Sequence, residues 1–236
     1  MEINALQIIL IAIITFIFAI DQFSLTEIVY RPIIACPIIG AILGDMNTGL
    51  VVGGTYELMM IGNMPVGGAQ PPNAVLGSVV AMVFAVTAHM DVQAALGACM
   101  IFATFGQYVV TLVFTINSGL MAKADEAAKN ANPAGITQVN LIAMGLLGIL
   151  FAVIAIVACM GGSALAPELE NLSKNASWLM GGLGAAGGMM RFVGFAVLLK
   201  IMMGNDMWGY LLAGFAFALV IGSTSVSAAT LILIAL

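Results

Sequence analysis

The sequence predicts an all-α integral membrane protein that crosses the bilayer several times. Of its 236 residues, 62% are apolar and only 7% are charged, whereas roughly 25% of an ordinary soluble domain is charged. So few charges cannot cover a water-exposed surface of this size. The apolar residues form long unbroken runs, as in membrane helices, and do not alternate as in barrel strands. The composition therefore excludes a soluble enzyme, a secreted disulfide module and a disordered chain.

Apolar segments follow one another along the chain, separated by short polar stretches. The first ends at Asp21 and has 17 residues, at the short end of what spans a bilayer. Pro32 and Pro37 interrupt the second, and a turn at 45–49 separates it from the third. Segment 140–161 is a full-length span, and the sequence stops within an apolar run. The predicted segments are 4–20, 32–44, 50–63, 74–90, 92–116, 140–161, 178–203, 207–222 and 224–236.

Two stretches rich in glycine or proline, 62–73 and 181–188, break this simple pattern. The first holds three prolines and the second five glycines. Irregular backbone is tolerated at membrane depth only where protein buries it or where it lines a polar cavity. Paired interruptions of this kind point to the binding site of a transporter. We therefore interpret both as candidate broken or re-entrant segments of a polytopic helical transporter, within one permease domain over 1–236. For 181–188, close helix packing through small residues is an equal alternative.

Polar loops are predicted at 117–139 and at 163–177. The first contains two lysines and the second contains one. Cytoplasmic loops of membrane proteins carry an excess of lysine and arginine, so this bias places 117–139 on the cytoplasmic side.

Glu57 is the polar residue that most needs an explanation. A carboxylate at the centre of a membrane helix costs about 2.5–3.5 kcal/mol on insertion scales, and such groups are functional by default. We predict that Glu57 accepts hydrogen bonds from a polar substrate. The alternatives are an ion pair with Arg31 or Arg191, or a position at the membrane interface. Arg31 itself is expected to form a structural ion pair with Asp21 or Glu27.

Amide and carboxylate side chains near the segment ends are further candidates. Gln70 and Asn73 flank two prolines, and each amide offers an acceptor and two donors, which suits sugar hydroxyls. Alternatively, they satisfy backbone groups that the prolines leave free. Asp21 and Gln22 end the first segment, where they either bind a hydroxyl or meet headgroup water. Asp45 is predicted to be a cap or turn residue.

The sequence offers little for catalysis by the chain itself. The three cysteines lie in apolar runs, as packing residues do, and His89 has no ligand partner nearby in the sequence. The P-loop pattern is absent from the sequence. A net charge of −5 speaks against nucleic acid as a partner. We expect no catalytic residue, no metal and no cofactor.

Several motifs occur together in this chain. They are Arg-Pro-Ile-Ile-Ala-Cys at 31–36, Gly-Gly-Thr-Tyr-Glu at 53–57, Gly-Gly-Ala-Gln-Pro-Pro-Asn at 67–73 and Ala-Gly-Gly-Met at 186–189. The combination resembles the IIC subunit of the mannose/fructose/sorbose family of the bacterial phosphotransferase system, over nearly the whole chain. The form ending in Asn73 resembles the N-acetylgalactosamine/galactosamine branch, because mannose-type members tend to carry an acidic residue there.

This resemblance implies a sugar-translocating subunit of the bacterial cytoplasmic (inner) membrane. A IIC subunit pairs with a IID membrane subunit, and the heterodimers assemble as a trimer. The sugar, here a hexosamine such as N-acetylgalactosamine, is held at mid-membrane and passed to cytoplasmic phospho-IIB, which IIA charges. Phosphoryl chemistry therefore lies on the partners. The residue match places Glu57, Gln70 and Asn73 at the sugar, with Asp21, Gln22 and Asn63 as second-rank candidates.

Two other functions compete with this hypothesis. An ion-coupled secondary transporter that acts alone also uses broken helices and a buried acid. It predicts uptake without partners, driven by an ion gradient. A non-transporting membrane scaffold would use Glu57 for helix packing, and it predicts that Glu57→Gln is tolerated.

Overall fold

A computed structural model of the chain describes residues 3–63, 70–175, 177–204 and 206–223. It divides into two units, Met1–Ala196 and Val197–Leu236. The secondary structure in the described ranges is helical: α1 (Ala5–Ser24), α2 (Pro32–Leu43), α3 (Met46–Met60), α4 (Ala74–Thr87), α5 (Val92–Ser118), α6 (Met121–Lys129), α7 (Pro133–Asn175), α8 (Ser177–Met202) and α9 (Trp208–Ser223). The predicted last segment, 224–236, lies outside the described residues, as do positions 64–69.

The helices fall into two length classes. Four stretches of the described residues are long and apolar enough to cross a bilayer: Ala5–Ser24, Val92–Lys129, Pro133–Gly162 and Gly184–Met202. By contrast, α2, α3 and α4 have 12, 15 and 14 residues. At about 1.5 Å per residue these helices are shorter than a hydrocarbon core of about 30 Å. Their ends therefore provide backbone and side chains within the membrane-embedded unit.

Helix α4 lies at the centre of the first unit. All of its residues, from Ala74 to Thr87, are buried, and it packs against α2, α3, α5 and α7. A helix that is apolar on all sides is suited to such a buried position.

A tight turn joins α2 to α3. Gly44 ends α2 in the left-handed conformation, with φ of 92°, which glycine adopts without steric cost. Asp45 then caps α3 by accepting hydrogen bonds from the Thr48 backbone N–H at 3.0 Å and hydroxyl at 2.6 Å. These bonds hold the pKa of Asp45 below its usual range. The predicted cap or turn role of Asp45 is confirmed.

Glycines on α3 allow α2 to approach closely. A Cβ on Gly53 would lie 2.6 Å from the Pro32 carbonyl oxygen, and one on Gly49 would lie 2.7 Å from the Cys36 carbonyl oxygen. The spacing of four residues is the small-residue pattern of closely packed membrane helices. A Cβ on the neighbouring Gly54 would have no described atom within 4 Å. The two adjacent glycines therefore have different roles.

Residues 181–188 were a candidate broken segment, but they lie inside α8, which is continuous from Ser177 to Met202. A Cβ on Gly187 would clash with the carbonyl oxygen of Gln93 on α5. One on Gly194 would lie 2.7 Å from the carbonyl oxygens of Leu58 and Met59. Gly187 and Gly194 thus allow close helix packing, the alternative offered from the sequence for 181–188, whereas a Cβ on Gly181 or Gly182 would have no described atom within 4 Å.

The two predicted polar loops are largely helical. Segment 117–139 contains α6 and the start of α7, and α7 continues to Asn175 through most of 163–177. Alanine is frequent in 117–139, and alanine and leucine are frequent in 163–177; both residue types are strong helix formers. The polar residues of these two segments show where the apolar spans end, but the helices continue through them.

The three cysteines, Cys36, Cys99 and Cys159, are buried and free, as predicted for packing residues. His89 is exposed and has a positive φ of 48°. Among the described residues, no group of three or more histidine, cysteine or acidic side chains is arranged to hold a metal ion.

Candidate functional site

A cavity of about 460 Å³ lies where four helix ends meet in the first unit. These are the carboxyl ends of α1 and α3 and the amino ends of α2 and α4. Its volume is within the range of small-molecule sites, about 300–1,000 Å³. The described lining consists of Gln22, Phe23, Glu27, Tyr30, Arg31, Pro32, Glu57, Met60, Ile61, Asn63, Gln70, Pro71, Pro72 and Ala74.

The cavity brings together four of the six predicted site residues. Gln22, Glu57, Asn63 and Gln70 line it, although they come from three separate parts of the sequence. Asp21 and Asn73 are not part of this lining, and they are only 1% and 2% exposed. A direct sugar contact by any of the six stays a prediction, but the structure places these last two behind the wall.

Glu57 forms an ion pair with Arg31 at the cavity wall. The Arg31 Nε donates to Glu57 Oε1 at 2.7 Å, and a terminal guanidinium nitrogen donates to the same oxygen. The other carboxylate oxygen accepts from the backbone N–H of Ile33 at 3.3 Å, in the first turn of α2. A negative charge at a helix amino terminus is favourable. The expectation that Arg31 pairs with Asp21 or Glu27 was wrong.

The pair is accessible from the cavity on the arginine side. The side chain of Arg31 is 43% exposed, whereas that of Glu57 is 13% exposed. A guanidinium has five N–H donors, and Glu57 occupies only part of this set. The pair thus gives the wall a fixed carboxylate and further donors, with opposite charges that balance each other.

Asp21 organises the segment between α1 and α2. Its Oδ1 accepts from the Thr26 backbone N–H at 2.9 Å and hydroxyl at 2.7 Å. Its Oδ2 accepts from the backbone N–H groups of Val29 at 2.7 Å and Tyr30 at 3.0 Å. A carboxylate has about four acceptor sites. The four bonds fold segment 25–31 so that Tyr30 faces the cavity.

Replacing Asp21 by asparagine should unfold this segment locally. The amide nitrogen cannot accept, so two of the four donors lose their partner; these donors are half-buried or exposed, and each lost bond costs about 0.5–1.5 kcal/mol. We expect a clearly lower Tm for the purified Asp21→Asn protein. The control is Thr26→Val, which removes only the hydroxyl bond and should lower Tm less. Equal Tm values for Asp21→Asn and wild type would contradict the role given to these bonds.

Asn73 caps α4 and contacts Gln22. Its Oδ1 accepts from the Leu76 backbone N–H at 3.0 Å, which is the N-cap bond. Its Nδ2 donates to Gln22 Oε1 at 2.9 Å. Its own backbone N–H donates to the Ala103 carbonyl at 2.7 Å, which ties it to α5. The side-chain amide and the backbone N–H of Asn73 are therefore hydrogen-bonded behind the wall.

The wall also contains two aromatic residues that the sequence did not single out, beside the predicted amide of Asn63. Phe23 and Tyr30 line the cavity, and the Phe23 ring packs edge-on against Phe114 with centroids 5.2 Å apart. The Asn63 amide nitrogen contacts the Met60 sulfur at 3.1 Å. Phe23 directly follows Gln22 and Tyr30 directly precedes Arg31. Their position next to Gln22 and Arg31 in the sequence was therefore the signal that could have identified Phe23 and Tyr30 as wall residues.

Comparison with known proteins agrees with this architecture. Residues 5–236 match the family described as the PTS system sorbose-specific IIC component. The chain is 36% identical over 216 residues to N-acetylgalactosamine permease IIC component 1 of Escherichia coli K12, covering 92% of this chain and 80% of that protein. It is 31% identical over 223 residues to the mannose-specific EIIC component of the same organism, covering 92% of this chain and 82% of that protein.

Solved structures show the same fold. One described only as a membrane protein has a TM-score of 0.82 at 29% identity, and it covers 100% of this chain and 97% of its own. A chain from the cryoEM structure of the mannose transporter ManYZ with microcin E492 has a TM-score of 0.66 at 28% identity, with the same coverage.

The helical fold and the polar cavity define a multi-pass membrane transport component. The chain belongs to the sorbose-type IIC family of the phosphotransferase system, so the resemblance predicted from its motifs is confirmed. It is a sugar permease subunit of the bacterial cytoplasmic membrane. It acts with a sugar and with partners in a membrane complex.

Proposed function

We propose that this IIC subunit binds a hexosamine, N-acetylgalactosamine, in the cavity between the helix ends. It then passes the sugar to phospho-IIB, so that uptake is coupled to phosphorylation. The observation that carries the proposal is the cavity of about 460 Å³ with Gln22, Glu57, Asn63 and Gln70 in its wall. The name of the 36% identical relative supports the choice of sugar.

The chemistry of the wall suits an acetylated sugar. Ring hydroxyls both donate and accept, and the three amides and the Arg31–Glu57 pair offer both kinds of group. An N-acetyl substituent adds one donor, one acceptor and one methyl group. The apolar side chains of Phe23 and Met60 in the same wall would accommodate the methyl group.

The proposal assigns the remaining steps to partner proteins. A IID subunit pairs with this chain in the membrane, and the heterodimers form a trimer. Cytoplasmic IIA charges IIB, and phospho-IIB transfers its phosphoryl group to the sugar that the cavity delivers. The membrane partner is supported by the ManYZ structure, in which a IIC-like chain occurs within a transporter complex.

Uptake in membrane vesicles that contain this chain and its IID partner tests the proposal. We expect labelled N-acetylgalactosamine to accumulate as sugar phosphate only when phosphorylated IIB is supplied, and unlabelled mannose to compete weakly. Unphosphorylated IIB is the matched control. Accumulation of unmodified sugar that depends on an ion gradient would instead establish a secondary transporter. Phosphorylated uptake with stronger competition from mannose would retain the subunit assignment and overturn the choice of sugar.

A further inference from the structure

We infer that Asn73 is a positioning residue that turns the amide NH₂ of Gln22 toward the cavity, so that Gln22 donates to an acceptor atom of the sugar. The inference rests on the proposed sugar site and specifies the polarity of one contact within it. Two hydrogen bonds carry it, one from the α4 backbone to Asn73 and one from Asn73 to Gln22.

The first step fixes which end of the Asn73 amide faces which neighbour. The backbone N–H of Leu76 can only donate, so the group 3.0 Å from it must be the Asn73 oxygen. The amide nitrogen therefore points the other way, toward Gln22. Asn73 is only 2% exposed, and its backbone N–H is bonded to the Ala103 carbonyl at 2.7 Å. The bond from Leu76 thus sets the orientation of the side-chain amide, and the bond to Ala103 holds the backbone of Asn73 in place.

The second step passes that polarity to Gln22. The Asn73 nitrogen can only donate, so the Gln22 atom 2.9 Å from it must be the oxygen. If the Gln22 amide were reversed, two NH₂ groups would face each other in a partly buried position. Because Gln22 lines the cavity and its oxygen is held from behind, its NH₂ is the end available to a bound molecule. Residue 73 therefore determines whether the wall presents a donor or an acceptor at Gln22.

The Asn73→Asp variant separates this role from helix capping. An aspartate still accepts from the Leu76 N–H, and aspartate is as good an N-cap as asparagine. Toward Gln22, however, it presents an acceptor in place of a donor. The Gln22 amide must then reverse to donate to Asp, and its oxygen faces the cavity. The polarity of one wall group is thus inverted, although no lining residue has changed.

Binding of the monodeoxy and monodeoxyfluoro analogues of N-acetylgalactosamine to the IIC–IID complex in lipid vesicles tests the inference. Fluorine in place of a hydroxyl can accept but cannot donate, whereas hydrogen does neither. In the wild-type complex, one ring position should bind the fluoro analogue about threefold more tightly than the deoxy analogue, at the low end for a neutral hydrogen bond. In the Asn73→Asp complex this ratio should fall to about one at the same position. A role in capping alone would not move this ratio.

Two further variants complete the test. Gln22→Glu keeps Asn73 unchanged but presents a carboxylate oxygen to the cavity, so it should abolish the same fluoro preference even if Asn73→Asp does not fold. Gln22→Met removes the group, so the ratio should be about one at this position whether residue 73 is Asn or Asp. If the wild-type complex binds the sugar and neither Asn73→Asp nor Gln22→Glu changes the ratio, the inference is overturned and the proposed function stands. If the wild-type complex binds no sugar, the proposed function fails and this inference fails with it.

Discussion

Alanine at position 53 is expected to disrupt the α2–α3 pair, whereas alanine at position 54 is not. A Cβ on Gly53 would lie 2.6 Å from the Pro32 carbonyl oxygen and 3.1 Å from the Cys36 Cβ. The first of these neighbours is backbone and cannot rotate away, so the helices must separate. Overpacking of this kind costs about 1–3 kcal/mol or more. The cavity should be affected too, because Pro32 belongs to its wall.

The Gly54→Ala variant is the matched control. It makes the same chemical change in the same turn of α3, where a Cβ would have no described atom within 4 Å. Both variants gain up to about 1 kcal/mol of helix propensity. The difference in Tm between them therefore reports the steric clash of the new Cβ at position 53. We expect a strongly reduced yield and Tm for Gly53→Ala, and an unchanged or slightly raised Tm for Gly54→Ala. Equal Tm values for the two variants would show that α2 and α3 do not pack through Gly53.

Much of this fold could be predicted from hydropathy, because the membrane imposes long apolar runs. The predicted segment 4–20 corresponds to Ala5–Ser24, and 92–116 corresponds to Val92–Ser118. The helical character of 163–175 could not be predicted this way. Hydropathy indicates whether a segment lies in lipid or in water. Helix propensity and packing determine where the helix ends.

The sequence predicted which residue types form the site, but not which of them line the cavity and which lie behind its wall. An ionisable group in an apolar run needs a partner, and this selected Glu57; the proline-rich backbone between apolar segments selected Gln70 and Asn73. The sequence offered Arg31 as one possible partner of Glu57, but it could not decide between Arg31, Arg191 and an interfacial position; the structure pairs Glu57 with Arg31, 26 positions away. Nor could the sequence show that Asn73 lies behind the described wall and donates a hydrogen bond to the lining residue Gln22. Both facts depend on how helix ends meet in space, which residue spacing alone does not determine.

Replacing Glu57 by glutamine is expected to leave the protein inserted and folded but to lower sugar uptake at least about tenfold, which corresponds to 1.4 kcal/mol. Charge-assisted hydrogen bonds are roughly twice as strong as neutral ones, so Arg31 would lose its strongest contact. The glutamine oxygen can serve either Arg31 or the Ile33 N–H, whereas the carboxylate serves both. Its NH₂ would also replace an acceptor that we propose for the sugar. Uptake per inserted molecule, with Tm measured on the same preparation, checks this result.

A charge-swapped variant, Arg31→Glu with Glu57→Arg, separates the two roles of the carboxylate. If Glu57 served only as the partner of Arg31, reversing the pair would restore both Tm and uptake. If Glu57 also accepts from the sugar, the swap should recover part of the Tm, since the Ile33 N–H still lacks its acceptor, while uptake stays low because the acceptor has moved to the α2 side of the wall. We expect the second result. Normal uptake by well-expressed Glu57→Gln protein would remove Glu57 from the sugar site and leave the amides of Gln22, Asn63 and Gln70 to carry recognition.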